Sequence, residues 1–319
     1  MPVLEVSNLE TVFATGAGLV QAVSDVSFTL DKEESLGLAG ESGCGKSTTA
    51  MSIMKLIRPP GRIAGGKILF EGEDLVPKTE AEMRQIRGKK ISIVFQGVSG
   101  ALNPVFKLGD QLAEAVLNHE QIDKDEALKR AQGILDLVGI DRSRTNNYPH
   151  EFSGGMKQRI MIATALICNP NVVIADEPTT ALDVISQGQV LKLIDDLQRK
   201  LGLSLLLITH DLSVIAEVCD KLVIMYAGKI AEYGDVATVL KSPLHPYSQA
   251  LVHAFPPLKG AKQRLESIPG SPPILINPPS GCRFHPRCPH AMDICRGEVP
   301  RLVEVEKGQK VACYLHPAK

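Results

Sequence analysis

Gly40-Glu41-Ser42-Gly43-Cys44-Gly45-Lys46-Ser47 has the form Gly-x-x-x-x-Gly-Lys-Ser and stands between an apolar, strand-like run at 35–39 and a helix-like stretch at 47–56. Strand, glycine-rich loop and helix, in that order, is the setting in which this pattern binds phosphate. Glycines let the backbone curl until successive N–H groups face inward, and the first turn of the helix adds the positive end of its dipole. Ser42, Gly43, Cys44, Gly45, Lys46, Ser47 and Thr48 are therefore candidate nucleotide contacts. Lys46 is expected to reach the β- and γ-phosphates of ATP and Ser47 to ligate Mg²⁺. The plainer alternative is a glycine-rich turn with an exposed lysine. Average composition would produce the pattern by chance in about one chain of this length in a hundred, and the flanking strand and helix make it rarer.

Outward from the loop, Val172-Val173-Ile174-Ala175-Asp176-Glu177 is an apolar strand ending in two acids. A buried strand delivers such carboxylates to the sheet edge where open α/β sheets bind ligands. Asp176 suits Mg²⁺, and Glu177 suits the polarisation of the water that attacks the γ-phosphate. On its own an Asp-Glu pair after a strand is more often a solvated turn; the upstream phosphate loop reverses that preference. Other apolar runs, at 92–95 and 203–208, read as strands buried on both faces, with helical stretches at 124–138 and 185–201 between them. Such alternation predicts an α/β fold with a mostly parallel sheet. Strand-like segments at 4–11 and 21–30, joined through a glycine-containing turn, predict an antiparallel β subdomain.

Phe152-Ser153-Gly154-Gly155-Met156 opens an amphipathic helix at 157–167; by itself it would be only a capping turn. The order of phosphate loop, Gln96, Ser-Gly-Gly, Asp-Glu and His210, however, resembles the nucleotide-binding subunits of ABC transporters over residues 1–242. The resemblance implies a P-loop NTPase core, an antiparallel β subdomain, and a helical subdomain carrying the Ser-Gly-Gly motif. It implies that two subunits stack head to tail, so that Ser153, Gly154 and Gly155 contact the γ-phosphate held by the partner's phosphate loop. Gln96 would sense Mg²⁺ and the attacking water, His210 would bond the γ-phosphate and orient Glu177, and Asp183 would lie in the loop that communicates across the dimer. Phe13 matches the aromatic that stacks on adenine; its alternative role is core packing.

The C-terminal stretch narrows the resemblance. Leu244-His245-Pro246-Tyr247-Ser248, Ile268-Pro269-Gly270-Ser271-Pro272-Pro273 and Gly281-Cys282-Arg283-Phe284-His285-Pro286-Arg287-Cys288-Pro289 resemble the extension of ATP-binding subunits of oligopeptide/dipeptide importers. One departure is Gln96-Gly97-Val98, where that family usually reads Gln-Asp-Pro, in the loop that touches the membrane subunit. Thirteen of the 21 prolines and four of the seven cysteines lie from Pro243 onward, which places a boundary between an ATP-binding domain at 1–242 and a small Pro/Cys-rich domain at 243–319. Cys282, Cys288, Cys295 and Cys313 are spaced C-x5-C-x6-C-x17-C, which is neither a zinc-finger nor a bacterial ferredoxin spacing. The resemblance implies a [4Fe–4S] cluster on these four thiolates, with Zn²⁺ or free thiols as alternatives and His285 and His290 as substitute ligands. Cys44, Cys168 and Cys219 read as packing residues.

The 35 basic and 36 acidic residues leave a formal charge of −1, which argues against wholesale binding to nucleic acid. No stretch approaches the roughly 20 apolar residues of a membrane span, and Met1-Pro2-Val3-Leu4-Glu5 lacks the features of a secretory signal. The expected partners are a second ATP-binding subunit, two transmembrane permease subunits and an extracytoplasmic solute-binding protein, with this chain peripheral at the cytoplasmic face. A nickel or oligosaccharide importer, or a soluble ABC ATPase acting on nucleic acid or the ribosome, are the competing functions. The last has no support from a coiled-coil insertion or a second ATPase unit in this sequence.

Overall fold

A computed structural model describes residues 1–97, 102–180, 182–254, 268–306 and 308–317. Its strands are β1 Leu4–Thr15, β2 Gly18–Leu30, β3 Ser35–Ala39, β4 Gly61–Phe70, β5 Glu73–Asp74, β6 Ile91–Val94, β7 Val172–Asp176, β8 Ser204–Ile208, β9 Lys221–Tyr226, β10 Lys229–Asp235, β11 Val303–Glu306 and β12 Gln309–Val311. The chain divides into two compact units. One comprises Met1, Asp31–Glu34 and Lys78–Leu206; the other comprises Pro2–Leu30, Ser35–Pro77 and Leu207–Lys319.

In the unit that carries the phosphate loop, β2, β1, β4 and β5 form an antiparallel sheet in that order, as the alternating N-terminal segments predict. The strands β11, β12, β10, β9 and β3 are neighbours in that order, with β3 and β9 parallel and the others antiparallel. All five residues of β3 are buried, which explains why Ser35 to Ala39 reads as an unbroken apolar run rather than an alternation. A polar clasp sets where β3 and β9 begin: Ser35 Oγ and its backbone N both donate to Asp220 Oδ2, at 2.6 and 2.9 Å. The antiparallel part of the sheet arises because β9 and β10 are joined only by Ala227 and Gly228, at φ 47° and 83°. A two-residue hairpin with both residues left-handed matches the twist of its strands.

The other unit holds β6 and β7, paired parallel, and the helices Leu108–Leu117, Lys124–Leu137, Gly154–Leu166 and Val184–Leu201. β8 runs across the division between the units. The helix Val184–Leu201 starts on an Asp183 side-chain cap and stops at Gly202, φ 62°, after Arg199 and Lys200 in its last turn. Acceptor at the start, left-handed glycine and basic residues at the end are what the helix ends require.

The described residues of 243–319 make close contacts with β10. They belong to the unit of the phosphate loop, because a buried carboxylate on β10 needs donors that only the tail supplies. Glu232 is 0% exposed and accepts from the backbone N–H groups of Leu244 and His245, both at 2.9 Å, and from Gln309 Nε2 at 2.8 Å. Next to it, β12 pairs with β10, and Phe284 packs against Tyr226 and Tyr247 with ring centroids 5.0 and 5.4 Å away. Stripping a buried carboxylate of its donors costs several times a surface hydrogen bond, so the tail is part of the fold.

His245 lies at the start of the helix Pro246–His253, where its Nδ1 accepts from Tyr247 N at 3.0 Å. Burial, assisted by nearby His316, lowers its imidazole to about 3, below the usual value of about 6.5. Neutral His245 thus contributes stability that is complete above pH ~6.5 and is lost as pH falls toward 3, by about 2 kcal/mol at pH 5. Urea unfolding followed by tyrosine fluorescence should show wild type weakening between pH 7 and 5 more steeply than His245→Asn, which keeps an acceptor but does not titrate. Equal slopes would mean that His245 is not the group responsible.

Candidate active site

The phosphate loop lies between β3 and the helix Lys46–Ile53, as its sequence requires. Gly40 has φ 146°, and a Cβ there would stand 2.2 Å from the Met225 carbonyl oxygen; at Gly45, φ 104°, it would stand 2.4 Å from that of Ala22. No side chain fits at either place, so the loop rests directly on the carbonyls of β9 and β2. Ser42, Gly43 and Ser47 are exposed, Thr48 is half-buried, and Cys44, Gly45 and Lys46 are buried. Lys46 Nζ donates to Gly40 O at 2.7 Å and Glu41 O at 3.1 Å, which folds the ammonium back across the loop. Burial pushes the Cys44 thiol up, with the Lys46 ammonium pulling against it. Phe13 lies in β1 opposite Gly61 of β4, and its ring occupies the space that a side chain at 61 would need. The same unit carries His210, exposed, just past the end of β8.

The second group of residues belongs to the other unit. β7 is buried along its length and ends at Asp176, 6% exposed. Glu177 follows with φ 45°, a left-handed conformation that is costly for a residue with a Cβ and typical of strained functional positions. Its carboxylate Oε2 accepts from Gln96 Nε2 at 2.8 Å and from Thr180 Oγ1 at 2.9 Å. Gln96 and Glu177, 81 residues apart, are therefore brought together. Thr180 was not singled out by sequence; its only signal is its place three residues after Glu177. Val98 and Ala181 lie outside the described residues.

Ser153 caps the helix Gly154–Leu166, its Oγ accepting from Met156 N at 3.4 Å. Ser153 and Gly154 are exposed and Gly155 is half-buried, so the first turn of this helix offers free space beside its N–H groups. A Cβ at Gly155 would come within 3.3 Å of Ser186 Oγ. Ser186 in turn donates to Asp183 through both its N–H, at 3.0 Å, and its hydroxyl, at 2.6 Å. Those hydrogen bonds, the hydroxyl first, hold the Asp183 carboxyl below its ordinary value.

The tail cysteines form no disulfide among the described residues. Cys282, Cys288, Cys295 and Cys313 line one small cavity together with His285 and His290, and burial raises the thiols of Cys288 and Cys313 and takes that of Cys282 to about 11. Among the described residues, however, no three or more His, Cys, Asp or Glu side chains are grouped so as to hold a metal ion. The four thiols and two imidazoles share one cavity.

Comparison with known proteins agrees with this geometry. The ABC transporter family matches residues 23–180, and the oligopeptide/dipeptide transporter C-terminal region matches residues 231–295. The chain is 49% identical to the oligopeptide transport ATP-binding protein OppD of Bacillus subtilis, over 98% of this chain and 89% of that one. It is 46% identical to OppD of Salmonella typhimurium, over 98% and 93%, and 48% identical to the dipeptide transport ATP-binding protein DppD of Bacillus subtilis, over 98% and 94%. Among solved structures, the dimeric bacterial ABC transporter cassette MJ0796 superposes with a TM-score of 0.66 at 25% identity, covering 73% of this chain and 98% of that chain. The same cassette, in a post-hydrolysis state bound to ADP and phosphate, gives 0.65. With matches that run through both the phosphate loop and the tail, the chain belongs to the ATP-binding subunits of ABC transporters, in the oligopeptide/dipeptide group.

Proposed function

We propose that this chain hydrolyses ATP to power the import of oligopeptides or dipeptides through partner permeases. The observation that carries the chemistry is Glu177, strained at the end of β7 and held by Gln96 and Thr180 through one carboxylate oxygen. The Glu177 carboxylate is the group we assign to accept a proton from water attacking the γ-phosphate. Lys46 and His210 stabilise charge on the transferred phosphoryl group. Lys46 must leave Gly40 O and Glu41 O to do so. Bound Mg²⁺ neutralises phosphate charge, and Ser47, Asp176 and Gln96 are the residues assigned to it. Phe13 is assigned to adenine. The exposed Ser153 turn, with Gly154 and Gly155, is assigned to the γ-phosphate of a second ATP-binding subunit, and Asp183 to communication with that subunit.

For the cargo, the support is the relatives, which are named as oligopeptide and dipeptide transport ATP-binding proteins. No helix among the described residues is long and apolar enough to cross a membrane, so crossing falls to permease subunits and this chain sits peripherally at the cytoplasmic face. Val105 and Phe106, 71% and 55% exposed and close in sequence to Gln96, support a permease contact there. A solute-binding protein outside the membrane would supply the peptide. For the tail, four thiols around one cavity support a [4Fe–4S] cluster held by Cys282, Cys288, Cys295 and Cys313, with residues 243–319 as its domain.

Glu177→Gln should retain ATP binding while lowering turnover about a thousandfold, and should trap a dimer detectable by size-exclusion chromatography. Thr180→Val, which removes the Thr180 Oγ1 hydrogen bond to the Glu177 carboxylate, should cost about tenfold in kcat with KM little changed. Wild-type rates in Glu177→Gln would overturn the base assignment. Expressed with its permeases, the chain should co-purify with the membrane fraction and support uptake of labelled oligopeptides; uptake that survives deletion of the chain would overturn the transport reading. Anaerobically purified protein should absorb near 400 nm and contain about four iron and four sulfide per chain. Colourless protein with equimolar zinc would overturn the cluster.

A further inference from the structure

Between Cys282 and Cys288 the tail presents two arginines to the base of the phosphate loop. Arg283 donates to the Ala227 carbonyl and to Gln21 Oε1, bracing the hairpin turn whose Gly228 N–H donates to Cys44 O at 2.9 Å. Arg287 reaches the loop itself. Its Nη1 donates to Glu41 Oε2 at 2.7 Å and its Nη2 to Glu41 Oε1 at 3.1 Å. The remaining donors go to Tyr226 Oη at 3.2 Å, Ile268 O at 3.3 Å and Pro269 O at 2.7 Å. Every N–H of the guanidinium is thus engaged, and the side chain is 7% exposed against 23% for Glu41. Glu41 is fixed at two further points: its N–H donates to Tyr247 Oη at 2.9 Å, and its carbonyl accepts from Lys46.

A carboxylate is out of place there. Glu41 is the second residue of the phosphate loop, and consecutive Cα atoms are about 3.8 Å apart, so its charge lies within roughly 10 Å of the N–H groups that must receive a polyanion. Two like charges at that range in a partly buried setting repel enough to cost about tenfold in affinity. The bidentate guanidinium both cancels the charge and sets the carboxylate in one orientation.

We propose that Arg287, in the tail, is a positioning residue for nucleotide binding. It neutralises and anchors Glu41 so that the phosphate loop accepts ATP. The proposal rests on the ATPase reading above, and its test separates the two. ATP with Mg²⁺ is titrated calorimetrically into the full chain carrying Glu177→Gln to prevent turnover, with tyrosine fluorescence melting to check folding.

Arg287→Gln should raise the Kd for ATP about tenfold, through the uncompensated charge of Glu41. Glu41→Gln alone should tighten ATP about threefold, because it leaves an unpaired guanidinium near the phosphates. The double substitution should return to within about threefold of the parent, a non-additivity that simple loosening of the tail would not produce. Unchanged affinity in Arg287→Gln, or a double variant as weak as the single one, overturns the proposal. Should Arg287→Gln fail to fold, Glu41→Gln decides alone: weaker or equal ATP binding there overturns it. Absence of ATP binding in the parent overturns the ATPase reading instead.

Discussion

Backbone packs on backbone at Gly40 and Gly45 with no room for a side chain, and the geometry of the phosphate loop follows from that contact. Both glycines stand against carbonyl oxygens, of Met225 on β9 and Ala22 on β2. The loop can therefore hold its shape only while these two strands keep their places. β9 is kept by parallel pairing with β3 and by the Ser35–Asp220 clasp. The turn after β9 is kept by Gly228 N–H on Cys44 O and by Arg283 on Ala227 O. Each hydrogen bond among these restraints is modest, worth about 1 kcal/mol net, but together they tie the loop to both strands. Preorganisation of that kind lets N–H dipoles stabilise phosphate charge without first reorganising.

Glu177 shows the same economy in the other unit. A left-handed glutamate costs on the order of 1–3 kcal/mol, and hydrogen bonds from Gln96 and Thr180 help hold it there. What the strain secures is direction. A carboxylate on an ordinary extended residue would continue the alternation of β7, whereas the sharp turn after Asp176 aims Glu177 away from the strand.

Much of this was legible in the amino-acid order because it is local. A strand buried on both faces has to be an apolar run, and so 172–176 and 204–208 announced themselves. Helix caps are local too: Ser153 and Asp183 each accept from the N–H three residues on. The antiparallel join of β9 and β10 was missed because its turn is Ala-Gly rather than the Asn-Gly that marks most such hairpins. The attachment of the described residues of 243–319 to β10 was not legible for a different reason. The prolines and cysteines of that stretch mark a change of composition, but the contacts that bind it, such as Gln309 to Glu232 across 77 positions, leave no periodic trace.

The sequence by itself determined the chemistry available: a phosphate loop, an acid pair at a strand end, a Ser-Gly-Gly turn and four tail sulfurs, all recognisable by type and spacing. Only the tertiary structure decided which groups meet. It placed Arg287 and Tyr247 on Glu41 across 246 and 206 positions, set Thr180 beside Gln96 on one carboxylate oxygen, and gathered the four sulfurs at one cavity. The physical reason is that residue type and short spacing fix what a group can do and where the local backbone points it. Distances between remote groups, by contrast, come from the packing of the whole chain, and hydrogen bonds and charge pairs depend on those distances to within a few tenths of an ångström.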